Sequence, residues 1–209
     1  MEVDRIEDGL WRWTGYHEEW RQDVGCVYVE SAGACCLVDP LVPTEDRERF
    51  LAALDRDVAR LGMPVHVLIT VFWHARSARE LAERYDAEVW APSRARAAVE
   101  RRTGPGVRTF RAGDVLPGGI AAHATARSNE VVLFLPAQRA LVAGDVILGA
   151  DLGSLRLCPA SWLPDGVGQE ELRASLLPLL ELPIDHVLVS HGRPVVGNGA
   201  AELERMLRA

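Results

Sequence analysis

Within the stretch Val71-Phe72-Trp73-His74-Ala75-Arg76, two side chains are of types that can do chemistry. His74 carries an imidazole that titrates near neutrality, so it can take up a proton or offer a lone pair to a metal ion. Arg76 carries a cation that keeps its charge at any physiological pH and can steady a developing oxyanion. The stretch follows Val65 to Thr70, an apolar and β-branched run of strand length. It precedes Ser77-x-x-Glu80, a capping box whose hydroxyl and carboxylate predict a helix start. The tip therefore lies at the carboxyl end of a strand, where α/β proteins place their reactive groups. Taken alone, His74 also reads as an exposed or half-stacked imidazole beside Trp73.

Composition removes several other chemistries. All 23 basic residues are arginine, which excludes a lysine nucleophile or Schiff base and fits a GC-rich bacterial genome. The cysteines, Cys26, Cys35, Cys36 and Cys158, show no C-x-x-C spacing and read as buried reduced thiols. Nothing in the sequence sets any of them beside a histidine as a nucleophilic pair. A formal charge of -7 argues against nucleic acid as a partner. With 48% apolar and 25% charged residues, the chain has the make-up of a globular protein. At 209 residues without an internal linker, residues 1–209 read as a single domain. The start, MEVDRIEDGLWRW, lacks the basic segment and apolar core of a signal peptide, and no apolar run reaches the roughly 18 residues of a membrane span. The expectation is a cytoplasmic protein with no membrane partner. Nothing fixes its oligomeric state.

The elements that must position the tip follow from periodicity. Short strands are predicted at Val3 to Ile6, Leu10 to Trp13, Val24 to Val29 and Ala34 to Val38, a meander with one covered face, in which Cys35 and Cys36 point opposite ways. Thr44 to Leu61 reads as a helix with Phe50, Leu51, Leu54, Val58 and Leu61 on one face and Gly62 as its stop. Val65 to Thr70, a helix over Ala78 to Tyr85 and a strand over Glu88 to Trp90 form a β-α-β unit. Ser93 is placed to cap a helix reaching Arg102. Further strands are predicted at Val107 to Phe110, Ile120 to His123, Glu130 to Leu135, Ala140 to Ala143 and His186 to Ser190, with helices over Gln169 to Leu182 and Ala200 to Leu207. Two similar halves point to an α/β protein with a four-layer αββα sandwich, although spacing alone leaves other α/β layouts open.

Over nearly its whole length the sequence resembles the metallo-β-lactamase fold superfamily, which has that same four-layer fold. Members carry T-H-x-H-x-D-H between the corresponding strand and helix and bind two zinc ions with it. Counting from Thr70, the histidine positions are Val71, Trp73 and Arg76, and the aspartate position is Ala75. The family's G-H-T-P-G-x loop, which leads into a strand here written Val131 to Pro136, places Ala126 at another missing histidine. His123 lies three residues upstream and would replace it only in a re-threaded loop. Two landmarks survive. Asp145 in Ala143-Gly144-Asp145-Val146 matches the metal-bridging aspartate, and His191 in Ser190-His191-Gly192-Arg193-Pro194 matches a histidine of the second metal. Asp39, in Val38-Asp39-Pro40, matches an aspartate that braces the metal-bearing loop from behind.

The resemblance thus implies a degenerate site with no metal, in which Arg76 stands in for the lost cation and pairs with Asp145 and His191. Trp73 would fill the vacated volume, and Trp11, Trp13, Trp20 and Trp162 read either as lining the same mouth or, as such residues more often do, as simple core or rim. Three functions compete. One is a pseudoenzyme that binds a small-molecule ligand or a partner. A second is metal-free acid-base chemistry, with His191 or His74 as base, Asp145 orienting it and Arg76 facing the oxyanion. The third is a hydrolase of ester, thioester or lactone bonds using one zinc, iron or manganese ion on His74, Asp145 and His191. The first is the expectation from sequence.

Overall fold

The computed structural model describes residues 2–150 and 153–209. The opening strands, β1 (Val3–Glu7), β2 (Leu10–His17), β3 (Gln22–Ser31) and β4 (Ala34–Val38), pair antiparallel in chain order, as their short turns allow. Helical crossovers then change the direction of pairing. After α1 (Arg47–Leu61), β5 (Val65–Leu68) lies parallel to β4. After α2 (Ala78–Tyr85) comes β6 (Glu88–Pro92), and after α3 (Arg96–Thr103) comes β7 (Arg108–Phe110), which completes a seven-stranded sheet. The second sheet has five strands, β8 (Ala121–Ala124), β9 (Val131–Leu135), β10 (Ala140–Ala143), β13 (His186–Val189) and β14 (Val195–Val196). Between β10 and β13 lie a two-stranded ribbon, β11 (Ile147–Gly149) with β12 (Leu155–Leu157), and helix α4 (Gln169–Leu176). Helix α5 (Gly199–Arg208) closes the chain.

Three apolar cores define the layers. Phe50, Leu51 and Leu54 of α1, Leu81 of α2 and Val99 of α3 pack on the outer face of the first sheet with Leu37, Val67 and Ala91. Leu172 and Leu176 of α4 and Leu203 and Met206 of α5 pack on the outer face of the second sheet with Leu141 and Val187. Between the sheets, Val27, Val29, Val38 and Leu68 meet Leu133, Leu135, Val142 and Leu188. This is the αββα sandwich expected from the sequence. Cys35 belongs to the outer core and Cys36 to the inner one, so they do point opposite ways, and all four cysteines are buried and free.

Several local expectations are corrected. The inner strands of the meander are covered on both faces, so Val24 to Val29 of β3 and all of β4 are buried, while the edge strand β1 keeps exposed positions. Helix α2 starts where expected, but Ser77 makes no side-chain cap: its Oγ accepts from the Val42 N–H, while Glu80 pairs with Arg47. Ser93 opens a 3₁₀ turn rather than capping a helix, and its hydroxyl donates to the Phe110 carbonyl. The helix from Gln169 ends at Leu176 and tightens into a 3₁₀ segment, Leu177–Glu181, where Pro178 lacks the amide that would continue it. No helix among the described residues is long and apolar enough to cross a membrane.

Candidate metal and catalytic centre

The tip after β5 brings the sheets together. Val71 forms an isolated antiparallel bridge with Glu130, and the Val131 N–H donates to the Thr70 carbonyl at 3.1 Å, so the first sheet is tied to the second at this edge. The chain then leaves the extended form. Residues Phe72–Ala75 make a 3₁₀ turn in which the His74 N–H donates to the Val71 carbonyl. Such a turn rotates about 120° per residue instead of alternating as a strand does. His74 is carried inward to complete burial, at 0% exposure.

There it lies between two carboxylates. Its Nδ1 is 2.8 Å from Asp39 Oδ2, and its Nε2 is 3.2 Å from Asp145 Oδ1. Asp39 also accepts the Thr70 N–H at 2.8 Å and the Thr70 hydroxyl, so it braces the loop from behind as the resemblance implied. Asp145 follows β10, and Glu130 fixes its turn by accepting the N–H groups of Asp145 and Val146 at 2.6 and 2.9 Å. Its Oδ2 accepts the Trp73 indole N–H at 2.6 Å. His191, in the loop after β13, sets its Nε2 3.1 Å from the same Asp145 Oδ1. One donor atom from each of His74, Asp145 and His191 lies within 4.8 Å of the others.

The contacts of Asp145 Oδ1 with the two imidazoles are short, but they are not aligned as hydrogen bonds, and both His74 Nε2 and Asp145 Oδ1 are buried without a hydrogen-bond partner. A neutral His74 that gives its Nδ1 proton to Asp39 turns a lone pair toward Asp145. Two lone pairs at that distance call for a cation between them, either a proton or a metal ion. Burial and the Arg76 charge oppose protonation of His74, but Asp39 and Asp145 outweigh them and raise its pKa above the ordinary value. Burial would push the Asp145 carboxyl up, yet His74 and His191 hold it far below the usual carboxylate range. The donor set also fits a metal. Zinc bound tetrahedrally at about 2.0–2.1 Å separates its ligand atoms by about 3.3 Å, close to the separations at Asp145. A histidine fixed through its other nitrogen by a carboxylate is the usual support for such a ligand.

Arg76 does not do what the sequence implied. Among the described residues it makes no ion pair with Asp145 or with His191. Its guanidinium donates to the Asp39 carbonyl at 3.0 Å, the Gly25 carbonyl at 3.4 Å and the Ser190 hydroxyl at 2.7 Å, and lies 5.4 Å from the Trp20 ring centre. It ties together three segments around the site, from a backbone held at φ 24°, a strained value for a non-glycine residue. The expected exposed His74 is likewise overturned. Trp11 and Trp13 lie away from the mouth, in a groove beside α1. His123, on β8, stays outside the cluster and faces Phe134.

The mouth itself is a cavity of about 350 Å³ lined by Trp20, Gln22, Trp73, Arg127, Asp145, Trp162 and His191, so Trp20 and Trp162 do belong to it. Arg127 and Glu130 escaped the sequence reading. They form a buried pair at 2.9 Å, and Arg127 lies 5.4 Å from the Trp73 ring centre. Burial and the nearby Asp145 raise the Glu130 pKa to about 6, against the pull of Arg127. The only sequence signal was a charged pair three residues apart ahead of an apolar strand.

No protein-family model and no curated protein matches the sequence. Solved structures do share its fold. The chain is similar to the structure of VMB-1 at TM-score 0.70 and 13% identity, over 99% of this chain and 94% of that one. It is similar to a metallo-β-lactamase from Pontibacter korlensis at TM-score 0.68 and 18% identity, over 99% and 98% of the two chains. A metallo-β-lactamase from Hirschia baltica gives TM-score 0.68 at 14% identity, over 99% and 96%. The chain therefore has the metallo-β-lactamase fold, and at these identities the likeness extends to the fold alone.

Proposed function

We propose that this chain is a hydrolase of ester, thioester or lactone bonds that holds a single divalent metal ion on His74, Asp145 and His191. The observation that carries the reading is the convergence of His74 Nε2 and His191 Nε2 on Asp145 Oδ1, with the opposite nitrogen of His74 anchored by Asp39. A divalent ion bound there would supply a more acidic water and a polarised carbonyl. The chain's own residues do the rest. Asp39 fixes the ring of His74, and Trp73 fixes the free oxygen of Asp145. Asp145, held ionised, is a ligand rather than a proton acceptor. Trp20, Trp73 and Trp162 give an apolar wall that suits the acyl part of a small substrate and thins out water.

Metal analysis tests this directly. Purified chain equilibrated with zinc or manganese and freed of excess ion should retain about one equivalent, and the His74→Ala and His191→Ala variants should retain almost none. A wild-type chain that keeps less than about a tenth of an equivalent would sink the reading. A metal-free binding protein is the second reading, and one observation favours it: the Trp73 indole already occupies one oxygen of Asp145.

A further inference from the structure

A second cavity, of about 540 Å³, opens beside the mouth, and Arg127 lines both. Its other lining groups include Ser93, Arg94, Arg111, Thr125 and Ser128. Arg94 and Arg111 come from the ends of adjacent parallel strands, since Pro92 of β6 and Phe110 of β7 are register partners. Elsewhere on the surface, exposed arginines commonly sit on carboxylates, as Arg84 does on Asp55, Arg108 on Glu88 and Arg139 on Asp185. Arg94 and Arg111 have no such partner among the described residues. Asp114, three residues on, accepts the backbone N–H of Arg111 and not its guanidinium.

The one acid in the lining is already spent. Glu130 takes the Arg127 guanidinium on one oxygen and the Asp145 and Val146 N–H groups on the other. Arg127 in turn keeps a buried Nε with no hydrogen-bond partner. Arg127 is neutralised by Glu130 and also donates to the Trp162 carbonyl, so in a chain of formal charge -7 it is Arg94 and Arg111 that bring guanidinium without a carboxylate partner among the described residues beside the candidate catalytic centre.

We propose that the groove bounded by Arg94, Arg111 and Arg127 is an oxyanion site, which takes a phosphate or carboxylate group. Guanidinium forks match both groups in geometry and charge. Because Arg127 also walls the mouth, the oxyanion is the acidic end of the substrate whose ester, thioester or lactone bond reaches His74, Asp145 and His191. That last step rests on the hydrolytic reading, whereas anion binding by the groove does not.

The test separates the two. Isothermal titration of the chain with inorganic phosphate, in chelator and without metal, should show saturable binding near one equivalent. The Arg94→Ala, Arg111→Ala double variant should bind at least tenfold more weakly, and Arg49→Ala on α1 should bind as wild type does. A wild-type chain that takes up no phosphate, or a double variant that binds equally well, overturns the oxyanion site. A second arm gives the metal-loaded chain aryl esters with and without a terminal carboxylate. In the double variant, KM for the acidic ester should rise at least tenfold more than KM for the neutral one. Equal rises would mean that free phosphate, not a substrate's acid, is the ligand, and would overturn the substrate assignment. If no ester is cleaved at all, the hydrolytic reading fails, and the titration alone decides the groove.

Discussion

Each side chain at the centre is held by another, and the holding residue is often the more informative one. His74 can offer Nε2 to a cation only while Asp39 keeps its Nδ1 proton, and Asp39 does so from a left-handed backbone at φ 49°. Asparagine tolerates that conformation and preserves an oxygen for Thr70, but it removes the charge that supports the imidazole. Asp39→Asn should therefore weaken zinc binding by about 10- to 100-fold while the protein stays folded. Competition with a chromophoric chelator measures it, and an unchanged affinity would reduce Asp39 to a loop brace. Arg76 teaches the converse lesson. Its position matches a metal-binding histidine of the resembling family, yet its guanidinium is spent on the carbonyls of Gly25 and Asp39 and pairs with no carboxylate among the described residues.

At the level of elements, the loop that presents His191 is gripped from two sides. The Gly25 N–H donates to the Ser190 carbonyl at 2.7 Å, and the Gly149 N–H of β11 donates to the His191 carbonyl at 2.8 Å. Arg12, buried against Gly25, donates to the Gly192 carbonyl at 3.1 Å. Backbone meets backbone so closely there that a Cβ on Gly149 would lie 2.1 Å from the Arg193 carbonyl oxygen. Gly149→Ala should destabilise the protein by about 2–3 kcal/mol and lower its metal occupancy, because the loop must move to make room. Urea unfolding checks the first part, and a wild-type midpoint would show that the ribbon is not the anchor argued here. The β11–β12 ribbon was absent from the sequence reading, since three-residue strands leave no periodicity to detect.

For the molecule as a whole, two sheets covered on both faces leave thiols nowhere to meet solvent. Burial pushes the pKa of Cys26 and of Cys35 up to about 11 and that of Cys36 up to about 12, and it raises that of Cys158 as well. Since only the thiolate reacts, the native chain at pH 8 should release less than one equivalent from a disulfide reagent within minutes. Denaturant should expose all four. Rapid reaction of the native protein would mean that one of the layers opens readily.

The sequence determined an α/β chain with most of its strands and helices, the buried thiols, and, through the family resemblance, the αββα layering and the identity of Asp39, Asp145 and His191, with His74 singled out by its imidazole, as residues worth watching. Strand and helix periods marked the elements, whereas the layering and the roles of Asp145 and His191 rested on turns whose neighbours match the resembling family. The sequence could not say where His74 and Arg76 point. One 3₁₀ turn at Phe72–Ala75 changes the angle per residue and so defeats any count along the chain. The convergence of three donors from the ends of β5, β10 and β13, and the meeting of Arg94, Arg111 and Arg127 beside them, depend on how two sheets are laid face to face. Only the tertiary structure decides that, because the contacts that fix it join residues far apart in the chain.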